Sequence, residues 1–224
     1  MVDVIIPVYR PDEKLEKLIE RLNQQTVEPA HIFFMQTMTE DEAEDTRVRK
    51  ILEKSKHGTI VPIGKLEFDH GGTRNKGAQM SEAEFMLFMT QDAVPEDPVL
   101  IEKLLQAVKD TIAAAYGRQL PDDKVGVIET YTRQFNYPEE SLIKGKEDLP
   151  RLGIKTYFCS NVCAMYRRDI YLKMGGFVTK TIFNEDMIMA ANMVQAGYQI
   201  AYAAEAKVVH AHKYTYWQQL TRNF

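Results

Sequence analysis

The stretch FDHGGTRNKGA, residues 68–78, followed by FMLFMTQDAVP, residues 85–95, decides the reading of this chain. The first is a glycine-and-histidine loop that opens a short helix. The second is an apolar strand ending on Asp92. A loop whose backbone can approach a ligand closely, set beside a strand-end carboxylate, is suited to holding a phosphorylated ligand.

Upstream of this stretch, residues 2–8 read as a buried strand stopped by Pro7 and Pro11, and a helix follows with Leu15, Leu18, Ile19 and Leu22 on one face. Residues 31–35 (HIFFM) form a second apolar run, residues 42–54 a polar helix and residues 59–63 a third strand. This alternation predicts an α/β fold, a mostly parallel sheet flanked by helices on both faces. Ligands in such sheets bind beyond the carboxyl ends of the strands, where Tyr9, Gln36 and Asp92 fall. Downstream, a helix over residues 97–109 and a strand over 112–116 precede an irregular stretch, 117–154, that is rich in prolines and acids. Its length marks it as a candidate functional lid. Regularity resumes over 155–167, in a helix over 185–196 closed by Gly197, and in two short strands up to His210.

With 224 residues and 45% hydrophobic content, the chain is long enough for one large domain with a sizeable core. The formal net charge of -4, with Lys and Arg scattered rather than blocked, excludes a basic footprint for nucleic acid. No run approaches 18 apolar residues, and the N-terminus enters a strand directly, so neither a membrane span nor a signal peptide is expected. Cys159 and Cys163 are too far apart for a redox pair and have no second pair to complete a zinc site. Buried thiols in a reducing compartment are expected. The last residues, 214–224 (YTYWQQLTRNF), read as the start of a helix with no stop signal, as in a chain cut from a longer protein. Their aromatic rings suit packing on the domain, contact with a second copy, or peripheral contact with a membrane.

Several residue groups carry chemistry. Asp92 offers a hard oxygen to a divalent cation, or else serves as a turn carboxylate before Pro95. His210 and His212 alternate after an apolar run and point to one side if the strand continues, either beside such a cation or as a satisfied surface pair. Gly71 and Gly72 admit a ligand to the backbone, and Arg74 can fork onto phosphate oxygens. Tyr9 stacks on a pyrimidine or closes the core edge. Gln36 offers neutral hydrogen bonds. In the segment Asn184-Glu185-Asp186 the asparagine fits a helix cap and the carboxylates fit the first turn.

These segments together resemble the nucleotide-sugar-dependent glycosyltransferases of family 2, and within them the rhamnosyltransferase-like branch, over nearly the whole chain. The resemblance implies a GT-A, Rossmann-like single domain over residues 1–224, with residues 1–116 mainly on the donor side and 117–224 mainly on the acceptor side. It implies donor contacts from Pro7, Tyr9, Gln36, Asp69, Gly72, Arg74, Asn75, Gly77, Gln91 and Asp92, with Asn75 and Gly77 matching an N-x-G pattern. The family's D-x-D signature stands here as Thr90-Gln91-Asp92, which lacks the first acid. Asp92, His210 and His212 are the implied ligands of Mg2+ or Mn2+. The pair after Gly175-Gly176-Phe177 implies Asp186 as general base, with Glu185 as its close competitor. Arg118, Gln119, Ser160 and Asn161 are acceptor-side candidates, equally suited to satisfying buried backbone.

The implied activity is inverting transfer of a sugar, rhamnose by the branch, from a nucleotide diphosphate to a hydroxyl of a glycan or lipid-linked glycan. It implies a cytoplasmic enzyme working at the inner face of the membrane. Inversion follows from one displacement, because no second nucleophile is evident. Two rivals stand beside this reading. One is a nucleotide-sugar-binding module without turnover. The other is a nucleotidyltransferase, which should carry a glycine-rich signature near its N-terminus, whereas VYRPDEK, residues 8–14, contains no glycine.

Overall fold

The computed structural model describes residues 1–122 and 126–211. The chain first builds β1 (Val2–Val8), α1 (Lys14–Leu22), β2 (His31–Thr37), α2 (Glu42–Leu52), β3 (Gly58–Ile63), α3 (His70–Met80) and β4 (Phe85–Met89). After the two-residue strand β5 (Val94–Pro95) come α4 (Leu100–Ala107) and β6 (Ile112–Leu120). Helix α5 (Val127–Asn136), β7 (Leu142–Lys144) and the single turn α6 (Leu149–Leu152) follow. The chain then forms β8 (Cys163–Arg167), α7 (Arg168–Lys173), α8 (Glu185–Gln195) and β9 (Gln199–Val209).

All of these strands join one sheet in the order β3-β2-β1-β4-β8-β6-β9-β5, with β7 pairing on β9. β3, β2, β1 and β4 are mutually parallel, and β8 lies antiparallel to both β4 and β6. β9 then runs parallel to β6, so β6 and β9 point the same way as the first four strands. The sheet is mostly parallel, as expected.

Strand β1 shows why the layers form. Apart from the buried Asp3, which accepts from Ser81, its residues are apolar on both faces, as a sheet covered by helices on each side requires. Val4 and Ile6 pack into a cluster with Leu15, Leu18 and Leu22 of α1, Val48 of α2 and Leu100 and Leu104 of α4. Ile5 packs into the opposite cluster with Ala78 of α3, Ile170 of α7 and Met193 of α8. Among the described residues no helix is long and apolar enough to cross a membrane.

Three expectations are corrected. Residues 117–154 are not one irregular stretch: β6 runs on to Leu120, and α5 and β7 lie within it. The two short strands expected before His210 are a single strand of eleven residues, β9. Asn184 does not cap α8 through its side chain, because its backbone is left-handed with φ 71°. The aromatic segment 214–224 lies outside the described residues.

Candidate active site

The carboxyl ends of the six co-directional strands define one edge of the sheet, and the chemistry-bearing residues gather there. Tyr9 follows β1, Gln36 lies near the end of β2, Asp92 follows β4, Arg118 and Gln119 close β6 and His210 follows β9. Because β8 is antiparallel, the residues before it, Ser160 and Asn161, reach the same edge. Contacts described below join the first turn of α8 to Asn161 and, through Arg74, α3 to α8.

Asp69 starts α3 by accepting from the Gly72 N–H at 2.5 Å, and its other oxygen accepts from the Lys180 N–H at 2.8 Å. Arg74, one turn in, is buried. It donates to the His70 carbonyl at 3.0 Å and lies 3.2 Å from the Glu185 Oε1. The guanidinium expected on phosphate is thus directed at a buried carboxylate. Asn75 is also engaged inside the protein. Its Oδ1 accepts from the Phe177 N–H at 2.8 Å and the Tyr171 hydroxyl at 2.5 Å, and its Nδ2 donates to the Phe177 carbonyl at 2.8 Å. Gly77 faces the sheet rather than a ligand. A Cβ there would come within 2.6 Å of the Ile5 side chain, so glycine permits close helix-sheet packing. Gly176, with φ 77°, turns the chain so that Phe177 enters the aromatic cluster of Phe88, Tyr166 and Tyr171. Through these contacts the glycine-rich helix and the GGF segment hold each other in place.

Glu185 and Asp186 open α8 with different surroundings. Glu185 is buried, paired with Arg74, and accepts from Asn161 Nδ2 at 3.4 Å. Asp186 is partly buried. Its Oδ2 accepts from the Asn161 N–H at 3.0 Å and its Oδ1 from the Met187 N–H at 2.8 Å. Burial pushes the Asp186 carboxyl above the usual aspartate range. The neighbouring Glu185 charge adds to the rise, while the Asn161 hydrogen bond opposes it. Among the described residues no ion pair is formed by Asp186, so its carboxylate is the one whose proton affinity is left raised.

At the other end of the cleft, Gln91 ties the β1 end in place. Its Oε1 accepts from the Tyr9 N–H at 2.8 Å and its Nε2 donates to the Tyr9 carbonyl at 2.9 Å. Tyr9 itself is 39% exposed, with the Arg10 guanidinium 5.5 Å above its ring, and Pro7 lies half-buried within β1. Gln36 is buried and donates to the Asp45 carbonyl, with its Oε1 unpaired. His210 Nε2 lies 3.4 Å from Asp92 Oδ2, and His210 Nδ1 lies 3.0 Å from Gln119 Oε1. His212 lies outside the described residues. Arg118 pairs with Glu139 at 3.1 Å, and Ser160 Oγ accepts from Gln119 Nε2 at 3.1 Å.

A continuous path of contacts therefore runs from Asp92 through His210, Gln119 and Ser160 to Asn161 and so to Asp186. Sequence reasoning missed Arg133 and Tyr137, which brace Gln119, because α5 itself was not expected.

Residues 3–175 match the profile of glycosyl transferase family 2. The chain is 41% identical over 224 residues to the O-antigen chain rhamnosyltransferase WbaN of Salmonella anatum, covering 99% of this chain and 69% of that protein. It is 38% identical over 225 residues to the O-antigen chain rhamnosyltransferase RfbN of Salmonella typhimurium, covering 100% of this chain and 70% of that protein. Among solved structures, it is similar to the mannosyltransferase PcManGT from Pyrobaculum calidifontis in complex with GDP-Man and Mn2+. That match has a TM-score of 0.72 and 15% identity, and covers 99% of this chain and 59% of that one. It is also similar to S. aureus TarS (residues 1–349) in complex with UDP-GlcNAc, with a TM-score of 0.72 and 16% identity over 98% of this chain and 60% of that one. The chain thus spans about three fifths of these solved chains. At such identities they show a shared fold.

Proposed function

The chain belongs to glycosyl transferase family 2, and from that premise we propose that it moves a sugar from a nucleotide diphosphate to a glycan hydroxyl with inversion. One observation carries the assignment of roles. Of the two adjacent carboxylates at the start of α8, Glu185 is neutralised by Arg74, whereas Asp186 is held by backbone N–H groups and has its proton affinity raised by burial. A base must hold a carboxylate ready to take a proton as the new bond forms, and Asp186 fits that need. Glu185, pinned by Arg74 and Asn161, orients the start of the helix instead. Among the described residues no further carboxylate joins Glu185 and Asp186 at the start of α8, and one displacement, hence inversion, is the stereochemistry this reading takes.

The residues at the strand ends fit a divalent cation. A carboxylate oxygen of Asp92 and an imidazole nitrogen of His210 converge to 3.4 Å, a hard oxygen and a borderline nitrogen. Among the described residues no cluster of three or more ligating side chains occurs, so these two would leave most positions to the ligand. Bound there, Mg2+ or Mn2+ supplies charge neutralisation for the departing diphosphate. Tyr9 offers a ring for the base, and Gln91 fixes the backbone that carries it.

The two curated relatives named as rhamnosyltransferases point to rhamnose as the sugar and to an O-antigen-type glycan precursor, free or lipid-linked, as acceptor. The same reading takes the reaction to the cytoplasmic side, at the inner face of the membrane. The test is to incubate the purified chain with a panel of nucleotide diphosphate rhamnoses and other nucleotide sugars, with and without Mn2+, and to follow release of the nucleoside diphosphate and glycan extension. Rhamnose transfer with an inverted anomeric centre supports the reading. Tight donor binding without transfer to any glycan would favour a binding module.

A further inference from the structure

Helix α5 reaches back to the strand ends through one side chain. Arg133, with its guanidinium largely buried, pairs with Glu129 at 2.9 Å on its own helix and donates from Nη1 to Gln119 Oε1. The amide nitrogen of Gln119 donates to the Tyr137 hydroxyl at 2.5 Å and to Ser160 Oγ at 3.1 Å. A guanidinium has donors and no acceptor, so the atom of Gln119 that faces Arg133 is the oxygen. The amide therefore has one orientation. Its oxygen also lies 3.0 Å from His210 Nδ1, and because an amide oxygen only accepts, that contact is a hydrogen bond when Nδ1 carries a proton. Nε2 is then the ring atom directed at Asp92, 3.4 Å away.

We propose that Gln119 is a positioning residue that holds the His210 ring with an Nδ1–H toward its own amide oxygen and Nε2 toward Asp92, and that Arg133 of α5 is the strut that fixes Gln119. The consequence for cation binding rests on the reading of Asp92 and His210 as ligands given above. The ring assignment does not. Partners that orient a ligating histidine are worth about 10–100-fold in metal affinity in other proteins, enough for the strut to be measurable.

The test uses the whole chain labelled with 15N at histidine. Long-range proton-nitrogen spectra without metal should show His210 protonated at Nδ1, with His210→Gln used only to assign its signals. Gln119→Leu should abolish that preference, whereas Gln119→Glu, which accepts from both donors, should keep it. Mn2+ titration followed by electron paramagnetic resonance should then show Gln119→Leu binding about 10–100-fold more weakly than the parent, with Gln119→Glu within about threefold. Arg133→Met should move both readouts in the same direction, and it stands in for Gln119→Leu should that variant fail to fold. A parent His210 protonated only at Nε2 would overturn the proposal. So would a folded Gln119→Leu, or a folded Arg133→Met in its place, with the parent's ring pattern and Mn2+ affinity. If the parent binds no Mn2+, the cation reading fails while the spectra still decide the ring assignment.

Discussion

The Glu185 carboxylate lies 3.2 Å from the Arg74 guanidinium, with the two side chains 8% and 6% exposed, although 111 positions separate them in sequence. This pair joins α3 to the first turn of α8 and neutralises Glu185, in keeping with the base role proposed for Asp186. A buried ion pair adds little net stability when both members are present, but loss of one member strands the other. Arg74→Met should therefore lower unfolding free energy by about 3–5 kcal/mol in urea titrations, and the double change Arg74→Met with Glu185→Gln should recover much of it. A fully exposed role for Arg74 would instead give a small loss and no recovery.

Asp92→Asn keeps the side-chain shape and removes its charge. If Asp92 holds a cation against the diphosphate, calorimetry should show nucleoside diphosphate affinity in the variant losing its dependence on Mn2+, while metal-free affinity stays near the parent's. Equal affinities at saturating Mn2+ would argue against a cation at this carboxylate.

Lys144 gives a pH signature of folding. Its ammonium donates to the Lys155 and Phe158 carbonyls and lies over the Tyr116 ring, and burial brings its pKa down to about 8. The folded chain gives up this proton before the unfolded chain does. Between about pH 8 and the ordinary lysine value of about 10.4 the unfolded state holds more protons, so this residue makes unfolding free energy rise with pH across that window. Buried Cys159 and Cys163, whose thiols are pushed up to about 12, give both forms an opposite slope above about pH 9, so the quantity to follow is the difference between the parent and Lys144→Met in denaturant titrations, which should rise across the window.

Much of this architecture is legible in the sequence. The apolar runs of β1, β2, β3 and β4, each followed by a helix, announce a parallel sheet, and a parallel sheet announces which edge carries ligands. Helix α5 was missed although Val127, Ile128, Tyr131 and Phe135 recur at helical spacing: its start at Gly126 has no side chain to cap it, and the fold leaves this apolar stripe exposed instead of burying it. The engagement of Arg74 and Asn75 inside the fold was hidden for another reason. Their partners, Glu185 and Phe177, lie more than a hundred residues away, and local pattern carries no information about such pairs. The same limit applies to Gln119. Its position at a strand end was readable, but its contacts with Arg133 and His210 depend on a helix and a strand that meet only in the folded chain.

With Asp186 as the proposed base, its raised proton affinity should set the pH profile of the reaction. The base works only when deprotonated, so activity should climb as pH rises through its pKa, and burial places that pKa above the ordinary aspartate range. A kcat/KM profile for transfer should show an acid limb displaced upward accordingly. A limb at the value of a solvated aspartate would contradict the environment described for this carboxylate.

In the proposed reaction Asp186 takes the acceptor proton while Glu185 and Arg74 only hold its helix in place. Asp186→Asn keeps an acceptor oxygen for the Asn161 N–H and removes the base. Single-turnover transfer with a donor whose binding is measured separately by calorimetry tests this most directly. The account predicts a loss of about 10²–10⁴-fold in transfer rate with donor affinity close to the parent's. An Asp186→Asn chain that folds, binds donor and transfers sugar at close to the parent rate would contradict it.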